Sequence, residues 1–293
     1  MAGNLHEARG YRLRGARVLI TGGGSGLGRL MAVEAARRGA EVIVWDLSAQ
    51  AGAATVEQVR AAGGTARSCV VDVTDREAVR RAAGQAGAVD VVVNNAGVVS
   101  GARLLDLPDE AIERTMQVNV LALYWVTRAF LAGMIERGHG SVVTIASAAG
   151  LVGVARQADY SASKWAAVGF MESLRNELRA DGHRINTLTV CPFYIDTGMF
   201  AGVQTRFPRL LPILDPDEVT EAVVDAIESG RQQLVLPPLV RSLPALRALP
   251  TRFFDRVMDA LGVNRTMDHF TGRQDGARAA VPGSGPDGSP APS

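Results

Sequence analysis

Seven short runs of apolar, largely β-branched residues recur along this chain with a helical pattern between successive runs, and that alternation admits few architectures. The runs cover residues 16–20, 41–45, 66–71, 89–93, 141–146, 184–190 and 232–236. A strand with one face in water alternates apolar and polar residues, whereas a strand covered on both faces is apolar almost throughout. These runs are of the second kind. The pattern therefore predicts the α/β class: a single doubly wound domain with a seven-stranded parallel sheet flanked by helices. A chain of 293 residues, 47% hydrophobic, is long enough to bury such a core.

Helix boundaries follow from caps and breakers. Residues 27–38 stop at Gly39, and residues 48–62 open on Ser48 and stop at Gly63 and Gly64. Thr74 and Asp159 are expected to open further helices. Residues 216–228 start after Asp215, with Pro216 where a first turn tolerates proline, and end at Gly230.

The loop after the first strand reads Thr21-Gly22-Gly23-Gly24-Ser25-Gly26-Leu27-Gly28. Glycines between a strand and a helix let the backbone turn sharply and approach a pyrophosphate, while the helix N-terminus offers free amides and the positive end of its dipole. Gly22, Ser25, Gly26, Leu27 and Gly28 are thus the expected phosphate cradle of a Rossmann-type dinucleotide site. Asp46 closes the second strand, where a carboxylate accepts from ribose hydroxyls and repels a 2′-phosphate, so NAD is expected rather than NADP. A cap on the next helix is the alternative use of Asp46, and Arg29 is a cation able to swing toward a phosphate. Asp72 and Val73 end the third strand, and Asn95, Ala96 and Gly97 follow the fourth. In an open parallel sheet these positions lie where adenine and ribose pass.

Tyr160 and Lys164 stand at i and i+4 of a helical pattern, so their side chains leave the same face. A nearby ammonium stabilises a phenolate and brings a tyrosine pKa of about 10 nearer the range of a general acid or base. Ser147, past the fifth strand, is placed to hold a substrate oxygen, and Asn119 to order a proton-relaying water. The motifs TGGGSGLG, NNAG, Asn119, Ser147 and Tyr160-Ser161-Ala162-Ser163-Lys164 occur in one order between about residues 15 and 235. Together they resemble the short-chain dehydrogenase/reductase family. The resemblance implies a catalytic tetrad of Asn119, Ser147, Tyr160 and Lys164, hydride transfer between NAD and an alcohol or carbonyl, cofactor contacts from Tyr160, Lys164, Pro192 and Thr197, and a homodimer or homotetramer built from helices around residues 115–136 and 159–179.

The substrate side is apolar. Cys191-Pro192-Phe193-Tyr194 leads to Met199-Phe200, with Phe193 where most members of the family have glycine. Ser147, Tyr160, Phe193, Tyr194, Met199 and Phe200 are the expected substrate contacts, and the run is similar to the retinol dehydrogenase and lipid-associated 17β-hydroxysteroid dehydrogenase subgroup. That similarity implies a retinoid, steroid or long-chain alcohol. A helix over about residues 252–261 places Phe253, Phe254, Val257, Met258 and Leu261 on one face. It would cover the substrate cleft or pack on a partner subunit, or, helped by Arg241, Arg247, Arg252 and Arg256, touch a lipid surface.

Residues 1–15 are expected to form an N-terminal arm and 16–273 the dehydrogenase domain, with a substrate loop and lid at about 191–215 and C-terminal helices at about 237–265. Residues 274–293, rich in Gly, Pro and Ser, read as a flexible tail. A net charge of +1 gives no reason to expect a nucleic-acid partner. Four scattered histidines and two cysteines lack metal-ligand spacing, so no metal site is expected. Cys69 and Cys191 sit in different strands as thiols of a reducing compartment, and the opening residues lack an apolar segment, which together point to the cytoplasm. Two competing readings remain: an idle NAD-binding regulatory protein, against which the complete tetrad argues, and a reductase of carrier-bound ketones, which needs a basic landing patch not evident in the sequence.

Overall fold

The computed structural model describes residues 10–272; the expected tail and the first nine residues of the arm lie outside them. Seven strands form one sheet: β1 (Arg17–Thr21), β2 (Glu41–Asp46), β3 (Thr65–Val70), β4 (Val91–Asn94), β5 (Gly140–Ile145), β6 (Ile185–Pro192) and β7 (Gln233–Leu236). Their order is β3-β2-β1-β4-β5-β6-β7, and every neighbouring pair is parallel. From β1 the chain winds outward through β2 and β3, then returns to β4 on the other side. The crevice between β1 and β4, beyond the carboxyl ends of the strands, is the topological switch point where such folds bind ligands.

Successive residues of the central strands serve opposite faces. Ile20, Val42 and Val44 pack with Met31, Val223 and Val224 of α1 (Gly26–Arg37) and α7 (Pro216–Glu228). Leu19, Ile43 and Trp45 pack with Val126, Phe130 and Met171 of α5 (Ala122–Arg137) and α6 (Ala158–Ala180). Coverage is incomplete at β3, the edge strand, where Val70 is exposed. Strand and helix ends otherwise differ from the sequence expectation by a residue or two; one consequence is that Asp72 and Val73 lie just beyond β3. Residues 10–15 run against the domain: Leu13 is fully buried and its amide donates to the Glu228 carboxylate.

Most caps fall where expected. Ser48 accepts from the Ala51 amide ahead of α2 (Ala49–Ala61), and Asp215 from the Asp217 and Glu218 amides ahead of α7. Two openers are corrected. Asp75 rather than Thr74 caps α3 (Arg76–Ala86), because its carboxylate reaches the Glu77 and Ala78 amides, while Asp159 lies inside the first turn of α6 and its side chain turns away to Ser100 and Thr115.

A π-helical turn, Gln117–Leu121, joins α4 (Asp109–Met116) to α5. The run Asp109–Arg137 is long and apolar enough by composition to cross a bilayer, yet Val126, Phe130 and Met134 within it pack on the sheet. After β7 the chain forms α8 (Leu243–Leu246) and α9 (Thr251–Ala260). Met258, Phe254, Val257 and Leu261 face inward from this region, but Phe253, expected on the same face, is exposed.

Trp45 is fully buried against Phe130, with ring centroids 5.7 Å apart, and its indole N–H has no partner. Trp45→Ala is therefore expected to cost about 3–5 kcal/mol and Trp45→Phe, which also removes the orphaned donor, less than half of that. Urea denaturation of both variants checks the ordering.

Candidate active site

The glycine loop is shaped by close approach. Gly22 adopts φ +61°, and a Cβ there would lie 2.9 Å from the Ala96 Cα. At Gly28 an added Cβ would stand 2.3 Å from the Gly22 carbonyl oxygen, so the start of α1 can press onto the loop only with glycine in that place. Asn95 fastens the neighbouring strand end to the loop: its side-chain amide donates to the Thr21 and Gly22 carbonyls at 2.9 and 3.1 Å. These contacts leave the α1 N-terminus facing an open cleft of about 290 Å³.

Of the expected cofactor residues, Gly22, Ser25, Gly26, Leu27 and Asp46 line this cleft on one side. Asp72, Val73, Asn95, Ala96 and Gly97 line it further along. Pro192 and Thr197 lie at its substrate end with Ser147, Tyr160 and Lys164. Gly28 does not line it and acts from behind, through packing. The residues fit a dinucleotide: the cradle is one that any Cβ would fill, with helix-terminal amides for the phosphates.

Asp46 is engaged from both sides. One carboxylate oxygen accepts from the Gly24 amide at 2.8 Å and the other from the Ser48 amide at 2.9 Å. It thus both orders the glycine loop and supports the next helix. Arg29 is not available to a phosphate here, because its guanidinium is held by the Gly24 carbonyl and Thr55.

At the other end, Tyr160 and Lys164 are both buried, one turn apart on α6. The Lys164 Nζ donates to the Ile145 carbonyl at 2.9 Å and sits 5.6 Å from the Tyr160 ring centroid. Ser147 follows β5 and accepts from the Ala149 amide at 3.1 Å. Burial pushes the Tyr160 phenol well above the usual tyrosine range, opposed by its hydrogen bond with Ser147. Burial also pulls the Lys164 ammonium down to about 8. The expected lowering of the tyrosine by its lysine neighbour is not found: desolvation dominates, and the opposing contribution comes from Ser147. The Cys191 thiol, pushed up to about 12 by burial, is inert, and both cysteines are free on β3 and β6, far apart in strand order.

Two further expected site residues do not line the cleft. Asn119 does not line the cleft: its amide nitrogen donates to the Val98 carbonyl at 2.9 Å and the Ser163 hydroxyl at 3.0 Å, and its oxygen accepts from the Val98 amide. Both amide protons are spent on holding the Val98 loop to α6. Tyr194 also lies behind the wall, with its hydroxyl 2.8 Å from Thr266 Oγ1 and its ring edge-on to Phe193 and Phe200. Phe193, Met199 and Phe200 do line the cleft.

Several contributors carried no sequence signal strong enough to select them. The buried Asp159 carboxylate accepts from Ser100 at 2.6 Å and Thr115 at 2.8 Å, tying the loop after β4 and α4 to the turn that carries Tyr160. Another signal was plain in composition. Lys164 is the sole lysine of the chain, all other members of its 31 lysines and arginines being arginine. Charge alone is satisfied by arginine everywhere else; position 164 holds the side chain whose proton can be lost. Among the described residues, no cluster of metal-ligating side chains occurs.

Gly28→Ala is expected to lose about 1–3 kcal/mol of stability and to weaken NADH binding more than tenfold. Gly84→Ala, in α3 where an added Cβ meets nothing within 4 Å, should be neutral or gain up to about 1 kcal/mol. Thermal denaturation and fluorescence titration of the pair check this.

Comparisons with known proteins agree with this geometry. A model of the short chain dehydrogenase family matches residues 16–206. Epidermal retinol dehydrogenase 2 from Mus musculus is 42% identical over 264 residues, spanning 88% of this chain and 85% of that protein. Retinol dehydrogenase 10 from Xenopus tropicalis is 40% identical over 285 residues, spanning 86% of this chain and 84% of that protein. A solved short-chain dehydrogenase/reductase from Burkholderia phymatum, in complex with NAD, superposes with a TM-score of 0.74 at 28% identity over 81% of this chain and 94% of its own. With a glycine cradle at one end of its cleft and Tyr160, Lys164 and Ser147 at the other, the chain belongs to the short-chain dehydrogenase/reductase family, in its retinol dehydrogenase-like branch, and is an oxidoreductase of CH–OH groups that uses a nicotinamide cofactor.

Proposed function

We propose that the protein interconverts a lipophilic alcohol, of retinoid, steroid or long-chain type, with its carbonyl compound, using NAD and Tyr160 as the proton-transfer residue. The observation that carries this reading is the convergence of Tyr160, Lys164 and Ser147 on the apolar end of the cleft, against Phe193, Met199 and Phe200. The retinol dehydrogenase relatives support the substrate class.

Preference for NAD rests on Asp46. A 2′-phosphate on the adenosine ribose would meet its carboxylate, and the Arg29 guanidinium beside it is committed to the Gly24 carbonyl. The expected preference is at least tenfold in kcat/KM, about 1.4 kcal/mol, and Asp46→Ser should narrow it. Equal use of NAD and NADP by the native enzyme contradicts the assignment.

The nicotinamide ring, when bound, supplies or accepts the hydride. The chain's residues handle the proton. With its phenol pushed up by burial, Tyr160 is protonated at neutral pH and set to donate to a carbonyl oxygen that Ser147 holds. Alcohol oxidation needs that proton to leave first. Oxidation should therefore accelerate as pH rises into the alkaline range and carbonyl reduction should slow, a crossing that pH profiles of kcat/KM in both directions test. Tyr160→Phe, which keeps the ring and its packing, should lower turnover by about 10² or more while NADH binding stays within a few-fold; near-native turnover on a confirmed substrate contradicts the role.

The same reading extends to assembly and place. Tyr124 on α5 and Trp165 on α6 are exposed apolar side chains, as are Met116 at the end of α4 and Leu121 in the π-helical turn. They favour a homodimer or homotetramer through these helices, which light scattering at micromolar concentration tests; a monomer contradicts it. Free cysteines on distant strands favour the reducing cytoplasm. Exposed Leu239, Leu249 and Phe253 with Arg252 and Arg256 favour peripheral contact with a lipid surface, although Arg247 stacks over the Trp165 ring at 4.5 Å instead.

A further inference from the structure

A second cavity of about 130 Å³ lies beyond the catalytic cleft, and Phe193 lines both. It is enclosed by Ala148 and Val152 after β5, Leu211 from the segment after β6, and Val240, Leu246 and Met258 from the C-terminal elements. Ala148 is the residue after Ser147, so the two spaces approach within one residue of the catalytic serine. Ser242 provides the single polar side chain of the lining, and its hydroxyl already donates to the Leu239 carbonyl at 2.7 Å. Nothing in the wall asks for a polar ligand. The rim, by contrast, carries Leu210 and Leu239, 45% and 39% exposed. Apolar side chains left in water around an apolar hollow mark a site that another apolar body covers.

Resting on the proposed function above, we infer that this cavity receives the hydrocarbon end of the substrate alcohol, with Phe193 as the swinging partition between the reacting carbon and the chain. Two features select this occupant. The cavity adjoins the cleft across one aromatic side chain, Phe193, which lines both, whereas the phosphate cradle lies at the cleft's opposite end. The ring of Phe193 is only partly buried and packs edge-on to Tyr194 at 4.6 Å, so it can rotate without breaking a hydrogen bond. Selectivity for chain length is then set by residues that touch neither cofactor nor reacting atoms.

The test compares native enzyme with Leu246→Trp, which fills the far wall, with Phe193→Ala, which removes the partition, and with Leu105→Ala, a control at a side chain that is 96% exposed. Two readouts are taken with butanol, octanol and dodecanol: kcat/KM with NAD, and displacement of the fluorescent polyene cis-parinaric acid, which requires no turnover. In the native enzyme and Leu105→Ala, both should improve steeply with length, by up to about fourfold per methylene until the cavity is full. The ratio of dodecanol to butanol should collapse at least tenfold in Leu246→Trp. Phe193→Ala should keep the length dependence and newly accept bulkier ring alcohols. An unchanged ratio in Leu246→Trp overturns the inference. If that variant fails to fold, Ser242→Phe fills the same space from another wall and is judged by the same ratio. Length-dependent displacement without any alcohol oxidation would sink the proposed function and leave the cavity assignment standing.

Discussion

The interaction on which the site depends is the seating of the Lys164 ammonium against the Ile145 carbonyl, beneath the Tyr160 ring and out of water. Moving an ammonium from water into such a place costs several kcal/mol unless partners replace its hydration, and one carbonyl does so only in part. The lysine pKa falls to about 8 as a result. That position on α6 is therefore maintained against its own cost by the rest of the structure: the long helix that carries Tyr160 and Lys164 on one face, and the end of β5 that supplies both the Ile145 carbonyl and Ser147.

The switch point of the sheet explains why this costly arrangement sits where it does. The glycine loop after β1 and the Asn95 turn after β4 occupy the two sides of one crevice, and the catalytic ends of β5 and α6 open into the same crevice. Hydrogen bonds from residues outside the cleft hold its walls in register. Asn119 joins the Val98 loop to Ser163, and Asp159 joins Ser100 and Thr115 to the turn before Tyr160. The π-helical turn at Gln117–Leu121 brings Asn119 to that junction.

Much of this was legible in the sequence, for physical reasons that differ by element. Strand runs such as Val42-Ile43-Val44-Trp45 are apolar on both faces because helices cover both, so their number and parallel sense could be read directly. Glycines 22 and 28 were legible because close backbone approach leaves no alternative residue. Side-chain direction in irregular segments was not. Nothing in Phe193-Tyr194 says which ring faces the cleft, and the answer came from a bond between the Tyr194 and Thr266 hydroxyls, 72 residues apart. Asp159 read as a helix opener because its partners Ser100 and Thr115 are 59 and 44 residues away. The pKa balance at Tyr160 was equally hidden, since desolvation depends on burial by the whole fold rather than on the lysine one turn away.

The central claim is that Tyr160 transfers its proton only with a lysine, not merely a positive charge, at position 164. Lys164→Arg keeps the charge and a donor for the Ile145 carbonyl in the one place where this arginine-rich chain uses lysine. Steady-state turnover of the purified variant on an alcohol that the native enzyme oxidises, measured alongside NADH affinity and circular dichroism, tests that claim most directly. A folded variant whose turnover falls by about 10² or more is the predicted result; a folded variant that turns over within a few-fold of native would contradict it.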